Sequence, residues 1–204
     1  MGSYAVATRT CHLQPLLLPQ LASGPHCADN GAMHAPNASF PDSRLPETIA
    51  LHPIGVVRSP FADPVGMPIQ TLAAPEAEGR VEVHAAYVDG LRDIEGFDYL
   101  ILLTHLHRAV EKLEVTPFMD TVSHGVFATR APARPNRIGL SIVRLVRREG
   151  HVLHFLGNDM VDGTPVLDIK PYVPRLDVRQ TERIGWFAQG LQQLPTLQSD
   201  DRMR

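Results

Sequence analysis

Apolar and polar residues alternate with a period of two along several short stretches of this chain, and a helical period holds in only one. Arg80-Val-Glu-Val-His84 alternates as a half-buried strand should. Ile54-Gly-Val-Val-Arg58 reads as a short strand stopped by Ser59-Pro60, and Phe61 to Pro75 as a long loop punctuated by Pro64, Gly66, Pro68 and Pro75. Tyr99-Leu-Ile-Leu-Leu-Thr-His105 is an apolar run suited to a buried central strand. Further strands are predicted at Val126 to Thr129, Ile138 to Val146, Val152 to Leu156 and Val166 to Ile169, with one helical turn within Asp89 to Gly96. The single helical stripe is Ile184, Phe187, Leu191 and Leu194, which predicts a helix over Thr181 to Leu194, weakened by Gly185 and Gly190. Its apolar side would dock on the sheet or on another subunit.

Many short strands with Gly/Pro turns predict a mainly β fold: a single compact β-barrel with a few short helices and a C-terminal helix. Residues 1–46 are rich in Pro, Ser, Ala and Asn and hold neither period, which predicts a disordered N-terminal tail. The organisation expected is that tail, a barrel domain over 47–176, and a C-terminal helix and tail over 177–204.

Length and composition add limits. With 204 residues, 44% of them hydrophobic, the chain can bury one sizeable core. No apolar run has the length of a membrane span, and the N-terminus has no clear secretory signal. The two cysteines, Cys11 and Cys27, both fall in the expected tail, so a core held without disulfides and a cytoplasmic location are expected.

The net charge of −3 hides a local asymmetry: Arg130 to Arg148 contains six arginines and no Asp or Glu. Three of them, Arg130, Arg134 and Arg137, lie in Gly125-Val-Phe-Ala-Thr-Arg-Ala-Pro-Ala-Arg-Pro-Asn-Arg-Ile-Gly139, where Pro132 and Pro135 each fix a φ angle. A stiff, Arg-bearing segment between strands suits anion or nucleic-acid recognition, because a pre-ordered loop loses less entropy on binding. An arginine-rich composition is the plain alternative, since 17 of the 19 basic residues are Arg. No dinucleotide, P-loop, zinc-protease or serine-hydrolase signature is present. His105 and His107 share a strand face at i, i+2, but spacing marks no third ligand, so no metal is expected.

Several stretches taken together resemble the TsaA-like, or TrmO, family: Ile54-Gly-Val-Val-Arg-Ser-Pro60, Pro68-Ile69-Gln70, Gly90-Leu to Phe97-Asp-Tyr-Leu, Gly125-Val-Phe-Ala-Thr-Arg130, Arg134-Pro-Asn136 with Ile138-Gly139, and Asp159 to Tyr172. They occur in the family's order across about residues 49 to 176. The resemblance implies an S-adenosyl-L-methionine-dependent tRNA methyltransferase on a single β-barrel that commonly dimerises. Its acceptor would be N6 of N6-threonylcarbamoyladenosine at tRNA position 37, in the anticodon loop, and its expected partners are therefore tRNA and a second copy of the chain. Relatives usually have arginine where this chain has Ile69, and proline where it has Arg137.

Carried over residue by residue, the cofactor pocket would comprise Pro68, Ile69, Gln70, His107, Arg108, Arg130, Leu140, Asn158, Asp159, Met160 and Val161. Arg130 suits the cofactor's carboxylate and Asp159 its ribose. Alternatively, Asp159 and Asp162 organise the Asp-Gly turn before Thr164. The acylated N6 of the acceptor has a delocalised lone pair, so transfer needs positioning plus a base or a compensating positive charge. Arg134 or Arg137 could supply the charge, and Asp162 or Tyr172 could take the proton. A small-molecule methyltransferase on the same barrel, or a non-catalytic cofactor- or RNA-binding module, fits the same residues.

Overall fold

A computed structural model describes residues 48–192, 197–200 and 202. The tail expected at residues 1–46 lies outside the described residues. Six strands close into an antiparallel barrel: β1 (Gly55–Arg58), β2 (Glu78–Val83), β3 (Tyr99–His105), β6 (Ile138–Glu149), β7 (Val152–Leu156) and β8 (Pro165–Pro171), in the order β1-β2-β7-β6-β3-β8. A separate two-stranded ribbon, β4 (Glu114–Val115) with β5 (His124–Gly125), stands apart from it. Two short helices follow the barrel, α1 (Pro174–Asp177) and α2 (Phe187–Gly190).

Period-two patterning explains the barrel. Alternate residues Leu100, Leu102 and Thr104 of β3 point inward and are buried, as are Ser141 and Val143 of β6, Val81 and Val83 of β2, and Leu153 and Phe155 of β7. The apolar ones among them meet Val57, Leu91, Met160 and Val166 in one cluster. At roughly 25 cal/mol per Å² of apolar surface removed from water, such side chains contribute about 1.5–3 kcal/mol each. Closure leaves no barrel edge unpaired.

The strand predicted from Tyr99 to His105 forms with those bounds, but it is not buried on both sides. Its outward residues Ile101 and Leu103 lie opposite Ile142 and Leu140 of β6 and are only partly covered. β6 runs to Glu149, past the predicted Val146, and pairs with β7 through a bulge between Leu145 and Arg147.

Three expectations are corrected. Val126 to Thr129 is not a strand: Val126–Ala128 form a 3₁₀ turn that buries Val126 and exposes Phe127. Asp89 to Gly96 is not one helical turn but lies across two 3₁₀ segments, Ala85–Leu91 and Ile94–Gly96. The long helix over Thr181 to Leu194 is not formed. Gly185 adopts φ +62°, a left-handed conformation that ends helical geometry, so only α2 follows it; Leu194 lies outside the described residues.

Candidate functional site

A cavity of about 700 Å³ opens beside the ends of β3 and β6. Its barrel side is built from the start of β6, where Gly139, Leu140 and Ser141 line it. Gly139 is needed there: a Cβ at this position would lie 2.6 Å from Thr104 Oγ1 on the paired strand. Around this wall stand the Pro68-Ile69-Gln70 loop, Thr129 to Ala133, and Asp159 with Met160.

Asp159 is the chemically distinctive group. Ser141 Oγ donates to its Oδ1 at 2.6 Å, and the carboxyl is enclosed by protein apart from its opening onto the cavity. Burial pushes its pKa up to about 6, against the opposing pull of the Ser141 hydrogen bond and the positive charge of Arg130. Across the mouth, Arg130 Nη1 donates to Gln70 Oε1 at 3.3 Å. The cavity thus offers a guanidinium, an amide and a carboxylate among its lining. A volume within the usual small-ligand range and this mixed lining fit a zwitterionic nucleoside cofactor such as S-adenosylmethionine.

The expected cofactor residues divide. Pro68, Ile69, Gln70, Arg130, Leu140, Asp159 and Met160 line the cavity; His107, Arg108, Asn158 and Val161 do not. Asn158 is fully buried, giving Nδ2–H to Ser59 Oγ at 2.7 Å and accepting from the Met160 amide at 3.2 Å, so it holds the loop that presents Asp159. Arg108 donates to Ala62 O at 2.6 Å, the Val161 carbonyl accepts from Thr164 Oγ1, and burial lowers the pKa of His107.

The four acid–base candidates are not gathered around the cavity. Arg134 Nη1 donates to Val126 O and Thr129 O at 3.1 and 3.0 Å, and its guanidinium lies over the Phe127 ring. Arg137 has φ +49°, which a proline ring forbids, and its amide donates to Arg134 O. Asp162 accepts from the Ser59 amide at 3.0 Å, a tether to the loop after β1 and not the local turn bond of the alternative reading. Tyr172 packs edge-on against Tyr99, at the far end of β3 from His105. Among the described residues no three His, Cys, Asp or Glu side chains gather as a metal site, and no helix is long and apolar enough to cross a membrane.

Two contributions were missed in the sequence. Ser141 looks like one polar residue in an alternating strand, and nothing marks it before pairing places it beside Asp159. The C-terminal residues Ile184, Trp186, Phe187 and Leu191 also line the cavity; the stripe that includes Ile184, Phe187 and Leu191 was visible, but neither its destination nor Trp186 was.

A closed antiparallel barrel with a nucleoside-sized, charge-bearing cavity at the end of two strands defines a ligand-binding β-barrel. The chain belongs to the family of the tRNA-methyltransferase O N-terminal domain, whose model matches residues 56–178. A Pyrococcus abyssi relative named as a probable S-adenosyl-L-methionine-binding protein is 52% identical over 159 residues, covering 78% of this chain and 86% of that one. The tRNA (adenine(37)-N6)-methyltransferase of Escherichia coli is 40% identical over 132 residues, 59% of this chain and 56% of that enzyme. The crystal structure of TrmO from Pseudomonas aeruginosa superposes with a TM-score of 0.58 at 41% identity, covering 68% of this chain and 62% of that one. The chain thus spans under two thirds of the last two. Barrel, family and cofactor class agree with the expectations from sequence.

Proposed function

We propose that this chain methylates N6 of N6-threonylcarbamoyladenosine at position 37 of the tRNA anticodon loop, using S-adenosyl-L-methionine, in the cytoplasm. One observation carries the reading: Gln70, Arg130, Ser141 and Asp159, contributed by four separate parts of the chain, meet in one cavity. In it, Arg130 would hold the carboxylate of the methionine tail and Asp159, oriented by Ser141, the ribose hydroxyls. When bound, the cofactor supplies an electrophilic methyl on a sulfonium. The acceptor N6 would gain that methyl in place of its proton, which would pass to a base. The chain's part is to align the two and exclude water.

Arg134 fits a positioning role: its two bonds to loop carbonyls fix the turn from which Arg130 projects. Arg137, Asp162 and Tyr172 stay candidates for charge or proton transfer only where a second copy brings them near a cavity. A homodimer is part of this proposal. Ile138, Leu140 and Ile142 are exposed on the outside of β6, beside Ile101 and Leu103, forming an apolar strip that continues to the cavity. A second copy covering it would shield both site and strip, and Ile142→Asp should then shift the sedimentation of a dimer to that of a monomer.

A small-molecule acceptor is favoured by one observation: the arginines of β6 are paired with carboxylates instead of being left for phosphate. Incubation with labelled S-adenosylmethionine and tRNA from cells lacking this gene, followed by nucleoside analysis, separates the readings. Methylated threonylcarbamoyladenosine supports the proposal. Label in a small product without RNA supports the second reading, and binding without transfer overturns both.

A further inference from the structure

The C-terminal residues of the cavity lie beyond 178, where the match to the family domain ends. They are held against the barrel domain by several independent contacts. Trp186 Nε1 donates to Ala128 O at 2.8 Å. Gly190 sits so close to Met119 that a Cβ would approach Met119 Cβ to 2.7 Å. Farther on, Ser199 is buried between residues of the cofactor loop: its amide donates to Met67 O at 2.9 Å, and its carbonyl accepts from the Gly66 amide at 2.8 Å. Arg202 closes the series, donating to Pro117 O at 3.0 Å with its guanidinium over the Phe118 ring.

What this segment brings to the cavity is flat and aromatic. The Trp186 ring stacks on His124 with centroids 4.9 Å apart and planes 15° apart, and on Phe187 at 3.9 Å and 25°. His124 is itself fixed by a hydrogen bond to Asp120 at 3.0 Å. Of the three rings, Trp186 and Phe187 line the cavity and His124 does not. The polar groups suited to the cofactor come from the loops bearing Gln70, Arg130 and Asp159 and from Ser141 of β6, whereas these rings rest on residues 119–128. A heteroaromatic base stacks on such a surface without needing hydrogen-bond readout.

We propose that this C-terminal segment is the acceptor wall of the site: Phe187, backed by the Trp186–His124 stack, is the surface on which the purine of the acceptor nucleoside stacks, in the cavity that Arg130 and Asp159 also line. This rests on the tRNA reading above and adds to it a specificity element outside the family domain. A purine held there would be restrained in plane, leaving only its sliding and rotation to be set by other contacts.

Trp186 is the chain's single tryptophan, so its emission reports on this wall alone. The probe is an anticodon stem-loop RNA carrying threonylcarbamoyladenosine, titrated into full-length protein saturated with S-adenosylhomocysteine. Saturable quenching by the RNA is expected. RNA binding seen by anisotropy of a labelled stem-loop without change in Trp186 emission overturns the proposal, as does full quenching by the cofactor product alone.

In turnover, Phe187→Ala should raise KM for the RNA about tenfold, with KM for S-adenosylmethionine within about twofold and Phe187→Tyr restoring the wild-type value. Gly190→Leu, which pushes the segment off Met119 while keeping both rings, should raise the same KM. If wild-type protein methylates RNA and neither Phe187→Ala nor Gly190→Leu alters its KM, the wall is refuted while the tRNA reading stands. If wild-type protein neither binds nor methylates RNA, both fall.

Discussion

The two halves of the arginine run, 130–137 and 144–148, look alike in sequence and are employed differently. In the loop, Arg134 and Arg137 donate to main-chain carbonyls of Val126, Thr129 and Ala109, and Arg130 reaches the Gln70 amide at the cavity mouth. None of the three forms a close ion pair among the described residues, although the charge of Arg130 is felt by the Asp159 carboxyl. On β6, Arg144 faces Glu76, Arg147 faces Glu149 at 2.6 Å, and Arg148 approaches Glu95 while donating to Leu91 O and Gly150 O. Glu76 and Glu95 arrive from distant segments and Glu149 stands one residue past the end of the run, which is why the run seemed unneutralised in sequence. The lesson is that charge density along a chain does not locate a binding surface; what matters is which charges the fold leaves without counter-charge.

That contrast can be broken most forcefully at Arg134. Arg134→Ala removes two hydrogen bonds from a charged donor and should destabilise the fold by about 2–4 kcal/mol, lowering Tm and weakening cofactor binding and methylation together. Lost methylation with unchanged Tm and cofactor affinity would show Arg134 acting on the acceptor directly instead of through the loop.

A smaller effect is expected from Asp159, whose carboxyl feels the charge of Arg130. Its folded pKa of about 6 lies above the ordinary value of 3.8, so between these values the folded state holds the proton more tightly. Its contribution therefore favours folding most at low pH and is lost as pH rises through that window. Above it, the buried charge costs about 2–3 kcal/mol. Asp159→Asn should raise stability above pH 6 relative to wild type and leave the difference near zero at pH 3, read by urea unfolding at a series of pH values. Cofactor affinity in wild type should rise with pH through about 6, as the carboxylate becomes able to accept from ribose hydroxyls, and the variant should lose that dependence.

The least effect belongs to β6. Arg147 and Glu149 are both more than half exposed, so Arg147→Ala should change stability by no more than about 0.5 kcal/mol. It should also leave the salt dependence of RNA binding unaltered. A drop of about one in the slope of log affinity against log salt would mean that Arg147 contacts a phosphate and that the β6 ion pairs open on binding.

The barrel was legible because period-two alternation survives from sequence to structure: β3 and β7 form with the predicted bounds, and β2 and β8 differ only at their ends. The C-terminal helix was misread because a 3.6-residue stripe ignores Gly185, whose φ breaks the helix while the apolar residues still reach the cavity. Within the site, Gln70, Arg130 and Asp159 were found through motifs that match the family in order. Ser141 and the aromatic wall were not, because their relevance depends on strand register and on contacts between residues far apart in the chain. Arg134 and Asp162 carry motif chemistry yet hold backbone in place, a distinction that only their hydrogen-bond partners reveal.

The central claim is that the cofactor site is set by the uncompensated loop charge and not by the paired strand charge. Calorimetric titration of S-adenosylmethionine into wild type, Arg130→Ala and Arg147→Ala tests it most directly. The account predicts an affinity loss of about 10- to 100-fold for Arg130→Ala and none for Arg147→Ala. Equal affinity in all three proteins, or a loss confined to Arg147→Ala, would contradict it.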